Sequence, residues 1–195
     1  MNLRPKPLLA VAMFALGVVS TPALSQDAGW FIGGTAGAVD AKQGCPAGPV
    51  PGLTCDDSST GWRAFGGYRF NQYFGYEIGY ADLGKVTQTF AGFAPTTFES
   101  TAIDVVLLVA LPVGQDFSFF IKGGFFRWDI DVKSPGAATT SANGADQTYG
   151  FGMHYNFTRN FALRLEYQKY YDIGDVNTTG RSNIEVTSAG LVFKF

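Results

Sequence analysis

The chain has no long apolar run after its first two dozen residues, a single histidine, two cysteines and few charges, 15% of its 195 residues. The longest uninterrupted candidate for a helical span, Val105 to Val113, is too short and contains Pro112, whereas a helix needs roughly 18 or more apolar residues to cross a bilayer. A helical membrane protein is therefore excluded. A lone histidine and two cysteines argue against a multi-ligand metal centre. With neither a basic run nor a charge block, the chain carries no electrostatic footprint for nucleic acid.

What is present is glycine (25 residues) and aromatic side chains (18 Phe, 9 Tyr, 3 Trp). Met1–Ser25 carries Arg4 and Lys6 before the apolar stretch Leu8–Val19 and a small-residue site at Thr21–Ser25. This is the pattern of a secretory signal peptide, so the mature domain is expected over residues 26–195. Loss of Arg4 and Lys6 moves the formal net charge from −2 to −4. Cys45 and Cys55 lie in a Gly/Pro-rich stretch of this exported chain. A local disulfide is the favoured reading; a two-cysteine metal site is the alternative, and it would need ligands that His154 is too far along the chain to supply.

Period-2 alternation of apolar with small or polar residues marks eight strands: Trp30–Val39, Gly61–Phe70, Phe74–Leu83, Phe98–Leu111, Phe117–Val132, Thr148–Asn156, Phe161–Asp172 and Ile184–Phe195. Connections alternate long and short. The long ones are Asp40–Thr60, Gly84–Thr97, Ser134–Asp146 and Ile173–Asn183; the short ones are Asn71-Gln72, Pro112–Asp116 and Phe157–Asn160. Unpaired backbone is intolerable in hydrocarbon, so strands that meet lipid must close on themselves. The expected fold is all-β, an eight-stranded antiparallel up-and-down transmembrane barrel with short turns toward the periplasm. Trp30, Tyr68, Phe70, Phe74, Tyr155, Phe193 and Phe195 fall near its periplasmic rim, as an aromatic girdle would. The last strand puts Leu191, Phe193 and Phe195 on one face, Gly190, Val192 and Lys194 on the other, the form expected of a C-terminal assembly signal. A soluble β-sandwich strand or a lipocalin-like carrier is the competing interpretation of such alternation.

Several stretches bring the chain close to a known family: Gly66-Gly-Tyr-Arg-Phe-Asn71 running into Phe74-Gly-Tyr-Glu-Ile-Gly-Tyr80, Lys122-Gly-Gly124, and Arg164-Leu-Glu-Tyr-Gln168 followed by Ile173-Gly-Asp175. In order and spacing it resembles the N-terminal transmembrane β-barrel domain of the OmpA family. The resemblance implies a Gram-negative outer-membrane location and a salt-bridge gate across the lumen by Glu77 and Arg164. It departs in two ways. The chain stops at Phe195, so the periplasmic peptidoglycan-binding domain is expected to be absent. A second acid and a lysine that the family places in the lumen are not matched, because His154 stands at the acid's position and the lysine's strand offers Val106, Leu108 and Ala110 inward.

By parity Arg63, Arg69, Lys122, Glu166 and Lys194 share the inner side with Glu77, Arg164 and His154, forming a mixed-charge lumen network. Eight strands leave an interior that side chains just fill, so the network reads as a plug, with a narrow low-conductance, porin-like channel gated by Glu77 and Arg164 as the alternative. A second alternative is an adhesin or serum-resistance protein acting through its loops. Catalysis is not expected: lipid A deacylation needs a nucleophile and base facing the outer leaflet, and His154 has no serine two positions on and faces inward. Gly33-Gly34, Gly66-Gly67 and Gly123-Gly124 open no helix and read as strand glycines rather than phosphate loops. No cofactor is expected. Expected partners are outer-membrane lipid and lipopolysaccharide, the barrel-assembly machinery during insertion, and host-surface ligands at the four loops, with the protein itself a monomer.

Overall fold

The structure, a computed structural model, describes residues 28–42, 44–46, 48–136, 138–174 and 181–195. The expected signal peptide, Met1–Ser25, lies outside them. Nine strands form among the described residues: β1 (Gly29–Ala41), β2 (Leu53–Asp56), β3 (Ser58–Arg69), β4 (Phe74–Phe90), β5 (Thr96–Val113), β6 (Phe117–Lys133), β7 (Thr140–Asn156), β8 (Phe161–Ile173) and β9 (Ser182–Lys194). Eight of them build the barrel, and β2 is a short addition outside it. Each barrel strand pairs antiparallel with its neighbours, and β1 pairs with β3 on one side and β9 on the other, Gly33 lying opposite Phe65 and Val192. First and last strands thereby seal the cylinder, and among the described residues no barrel strand is left as an open lipid-facing edge.

Alternation decides which side chains face outward. Along β5, Ala102, Asp104, Val106, Leu108 and Ala110 are buried, while Ile103, Val105, Leu107, Val109 and Leu111 are exposed. Leu107 is 68% exposed; in water such a side chain would forgo about 1.5–3 kcal/mol of burial, so the outer face belongs to acyl chains. Aromatic rings crowd the periplasmic rim in contact with one another: Trp30 with Tyr68 at 5.1 Å, Tyr68 with Phe70 at 5.7 Å and Phe193 with Phe195 at 5.0 Å between centroids.

Strand ends differ from the sequence expectation on the extracellular side. β4 runs on to Phe90, β5 starts at Thr96 and β7 at Thr140, so the expected Gly84–Thr97 and Ser134–Asp146 loops are largely sheet. These extensions stand beyond the lipid-facing band. No acyl chain imposes alternation on them, and their polar, small residues hide the strands. β4 enters its extension through a bulge between Asp82 and Lys85, where Gly84 takes φ +72° and donates its N–H to Asp82 Oδ1 at 2.9 Å. Within the expected Asp40–Thr60 loop, β2 pairs with β4, Leu53 opposite Phe90 and Cys55 opposite Gln88. The Cys45–Cys55 disulfide is formed, and Gln88 Nε2 donates to Gly44 O at 3.0 Å, which ties the loop to this outer sheet.

Candidate functional site: the filled lumen

The barrel interior is layered. At the extracellular end an apolar collar gathers Val39, Leu83, Phe126, Trp128, Ile130 and Ile184 with Tyr170 and Ile173. Trp128 satisfies its indole N–H on Asp146 Oδ2 at 3.1 Å, as a buried Trp must. Toward the periplasm a second apolar layer holds Phe31, Phe65, Ala162 and Val192 beside Leu108, Ala110 and Phe120. The charges are interleaved with this second set, Arg164 packing against both Phe65 and Phe120.

Glu77, fully buried on β4, accepts from Arg164 Nη1 at 2.6 Å and Nη2 at 3.2 Å, and from Arg63 Nη1 at 3.3 Å. Arg63 also clasps Asp104, Nε to Oδ2 at 2.9 Å and Nη2 to Oδ1 at 2.5 Å, and the Tyr170 hydroxyl donates to Asp104 Oδ2 at 3.1 Å. Arg164 Nε donates to Glu166 Oε2 at 2.5 Å, and Lys122 Nζ to Glu166 Oε1 at 2.6 Å and to Gln168 Oε1 at 2.7 Å. Gln168 passes the chain on to Thr148 Oγ1 at 3.1 Å, which donates to Lys169 O at 2.8 Å. Three cations (Arg63, Lys122, Arg164) thus meet three carboxylates (Glu77, Asp104, Glu166). That balance is what burial demands, since an unpaired ion away from water costs several kcal/mol. The guanidinium of Arg164 also lies between two phenyl rings, 4.6 Å from the centroid of Phe65 and 4.4 Å from that of Phe120, so its flat faces are covered while its edge is hydrogen-bonded.

Of the residues the sequence places inside, Glu77, Arg63, Lys122, Arg164 and Glu166 meet in this network. Arg69, His154 and Lys194 do not. They line a vestibule at the periplasmic mouth that Glu77 also lines, where Arg69 Nη2 lies 3.5 Å from His154 Nδ1 and Lys194 Nζ donates to Asn156 Oδ1 at 2.5 Å. His154 stacks on Phe120 at 4.6 Å, and its Nε2 has no hydrogen-bond partner. Ser118 stands opposite it in register, and no hydrogen bond joins the pair at Nε2.

Asp104, Tyr170, Gln168 and Thr148 were not singled out by sequence. A signal for Asp104 existed: the inward parity of Val106, Leu108 and Ala110 continues onto it, and the inward Arg63 needs an acid. The family lysine is absent from β5, yet Leu108 of β5 sits directly opposite Lys122 of β6, so the neighbouring strand delivers an ammonium to the same layer.

Residues 25–195 match the OmpA-like transmembrane domain family. Outer membrane protein A of Salmonella typhi is 30% identical over 197 residues, covering 96% of this chain and 54% of that protein. The chain thus spans about half the length of the curated relatives it matches. Among solved structures, neisserial surface protein A superposes with a TM-score of 0.61 at 19% identity, covering 85% of this chain and 96% of that one. OprG of Pseudomonas aeruginosa superposes at 0.59 with 15% identity, covering 88% and 98%. At these identities the structural likeness shows the fold alone.

Proposed function

The chain belongs to the OmpA-like transmembrane domain family of outer-membrane β-barrels, and from that premise we propose that its barrel is a permanently filled structural element of the membrane which displays extracellular loops. The observation that carries the reading is the lumen itself, a charge-balanced network of three cations and three carboxylates beneath an apolar collar. Ion passage needs a polar, wettable path. Here the polar side chains spend their hydrogen bonds on each other, and the collar presents none to an entering ion.

A gated channel would need Arg164 to release Glu77 and find another partner. Its other acid, Glu166, is already bound, and Glu77 would keep only the long 3.3 Å contact to Arg63, which leaves its buried charge poorly compensated. Planar-bilayer recordings on the protein and on its Glu77→Ala and Arg164→Ala variants test the reading: silence in all three is expected, and a stable conductance appearing in the unaltered protein would overturn it.

A second reading, contact with lipopolysaccharide or host surfaces through the loops, is favoured by the outer sheet. β4–β7 continue as paired strands beyond the lipid band and the disulfide pins Cys45 against β2, which holds a surface in fixed shape at low entropic cost on binding. Cell-binding assays with the tip residues 91–95 replaced by a glycine linker test it; undiminished binding would sink it. No catalytic role is assigned: the single histidine faces inward beside Phe120 and Arg69, away from outer-leaflet lipid.

A further inference from the structure

A groove crosses the outer wall of the barrel from β5 to β8; it involves neither the filled lumen nor the loops and so stands apart from both readings above. About 820 Å³ in volume, it lies where Gly123 of β6 presents no side chain outward. A Cβ there would meet nothing nearer than Thr148 O at 3.9 Å. The register row through Gly123 holds Leu107 and Tyr149, and the next row toward the extracellular end holds Val105, Phe125 and Gln147. All of these line the groove, together with Tyr171 of β8. Leu107 and Phe125 are apolar and strongly exposed, whereas Gln147 and the two tyrosines bring polar atoms. Tyr171 donates its hydroxyl proton to the Tyr149 oxygen at 2.5 Å, which leaves the Tyr149 proton to be donated outward.

One row further stands Arg127, between Ile103 and Ala145. It belongs to the exposed, outward set of β6. Neither cross-strand neighbour can pair with it, and among the described residues no hydrogen bond or ion pair takes up its charge, that of Asp129 two positions on included. By contrast Lys169 and Lys133 already hold Glu185 at 3.0 Å and Glu99 at 2.5 Å. From Phe117, which meets Tyr155 of the periplasmic girdle at 4.8 Å, to Arg127, β6 climbs roughly 25 Å along the membrane normal at the usual rise and tilt of a barrel strand. That is the height of the apolar band, so Arg127 stands where the headgroups of the outer leaflet begin.

Along the groove the wall thus runs from apolar side chains, through an amide and a phenol, to an unpaired guanidinium. A membrane lipid has the same order: acyl chain, ester or amide linkage, phosphate. We propose that the groove binds a phosphate-bearing lipid of the outer leaflet, with one acyl chain lying over Gly123 beside Leu107 and Phe125 and the phosphate on Arg127. Any acyl chain covers an apolar wall, so the tail alone confers no preference. The guanidinium does, because its bonds to phosphate are charge-assisted and can form in pairs.

The test uses the folded protein in uncharged maltoside micelles, titrated with diphosphorylated lipid A or with the same lipid A stripped of both phosphates. Native mass spectrometry and the amide resonances of Gly123 and Gln147 read the binding. One saturable site that moves both resonances and prefers the phosphorylated probe is expected. Arg127→Gln should weaken that probe about tenfold, through the lost charge-assisted bond, and leave the dephosphorylated one as it was. Gly123→Leu, which fills the open space, should weaken both probes. Lys133→Gln removes the same charge from the same strand, but from a cation that is already paired, and should change neither. Heat-modifiable gel migration confirms that each variant is folded; should Gly123→Leu fail to fold, the comparison of Arg127→Gln with Lys133→Gln decides alone. Equal binding of the two probes, equal affinity in Arg127→Gln and the unaltered protein, or a loss in Lys133→Gln as large as that in Arg127→Gln would reduce the groove to ordinary lipid-covered wall and overturn the proposal.

Discussion

Arg63 of β3 and Asp104 of β5 meet edge to edge inside the barrel, two parallel N–H···O bonds of 2.9 and 2.5 Å joining strands that are not neighbours, since β4 lies between them. A bidentate pair of this kind is both the strongest and the most orientation-demanding of the ionic contacts. It clamps a chord across the lumen, over Gly79 of β4, whose missing side chain leaves room for the guanidinium. Any Cβ at that position would press on Arg63.

Removing one member should cost more than removing both. Asp104→Ala leaves Arg63 buried with the long contact to Glu77 as its one remaining ion pair among the described residues, and should destabilise the barrel by roughly 3–5 kcal/mol in urea titrations followed by tryptophan fluorescence in lipid vesicles. Arg63→Met with Asp104→Leu should regain most of that loss, short of the hydrogen bond that Tyr170 gave Asp104. Adding Tyr170→Phe should restore the remainder, about 1–3 kcal/mol. Equal destabilisation by the single and the double variant would show the ion pair to be stabilising in itself.

This pair also marks where reading the sequence reached its limit. Parity alone puts Arg63, Glu77, Lys122, Arg164 and Glu166 on the inner side, because lipid enforces alternation along the middle of every strand. It equally puts Asp104 there, but the second half of β5 is apolar on both faces, so the strand's inner register is hard to see until Arg63 is asked for its partner. Parity also cannot say how far along the axis a residue sits: Arg69, His154 and Lys194 share the inner side with the network yet belong to the mouth. Extracellular strand ends were hidden for a different reason. Residues such as Thr140–Gln147 pair with β6 through backbone bonds, and their inward positions are held by small or polar residues, Ala142, Gly144 and Asp146, beside the collar, so no apolar alternation marks the strand.

Adjacent glycines give a sharp contrast in β6. A Cβ at Gly124 would overlap the Val105 carbonyl oxygen and the Val106 Cα of β5, both backbone, whereas one at Gly123 would meet nothing nearer than Thr148 O at 3.9 Å. Gly124→Ala should therefore slow or prevent folding into vesicles and cost at least about 2 kcal/mol by strand displacement, while Gly123→Ala should fold normally. Heat-modifiable migration scores both, and a well-folded Gly124→Ala barrel would contradict the close approach of β5 and β6.

Reducing the disulfide should separate the outer sheet from the barrel. Cys45 and Cys55 lie outside the lipid-facing band, and the eight-stranded closure does not involve β2. Cys45→Ser with Cys55→Ser should leave urea stability of the barrel within about 0.5 kcal/mol, while proteolysis of the segment before β3 becomes markedly faster because the loop loses its closure restraint. A matching loss of barrel stability would show that the outer sheet and the lumen unfold as one unit.

The two interior barriers are in series, and this predicts how the lumen can be opened. Removing Glu77 and Arg164 together relieves the charged layer without stranding a charge between them, but the collar of Leu83, Phe126, Trp128 and Ile130 stays dry above it. Trp128→Ala alone opens space at the collar but leaves the charged network below intact. Each change by itself should leave bilayers silent. Combining Glu77→Ala and Arg164→Ala with Trp128→Ala and Phe126→Ala removes both, and water can then thread a polar path lined by Thr148, Gln168 and Ser188, which are already buried inward-facing groups. Stable conductance should appear only in that combined variant, provided gel migration shows it folded. Conductance from the charged-layer double variant alone would mean that the collar does not seal and that the network is the sole barrier.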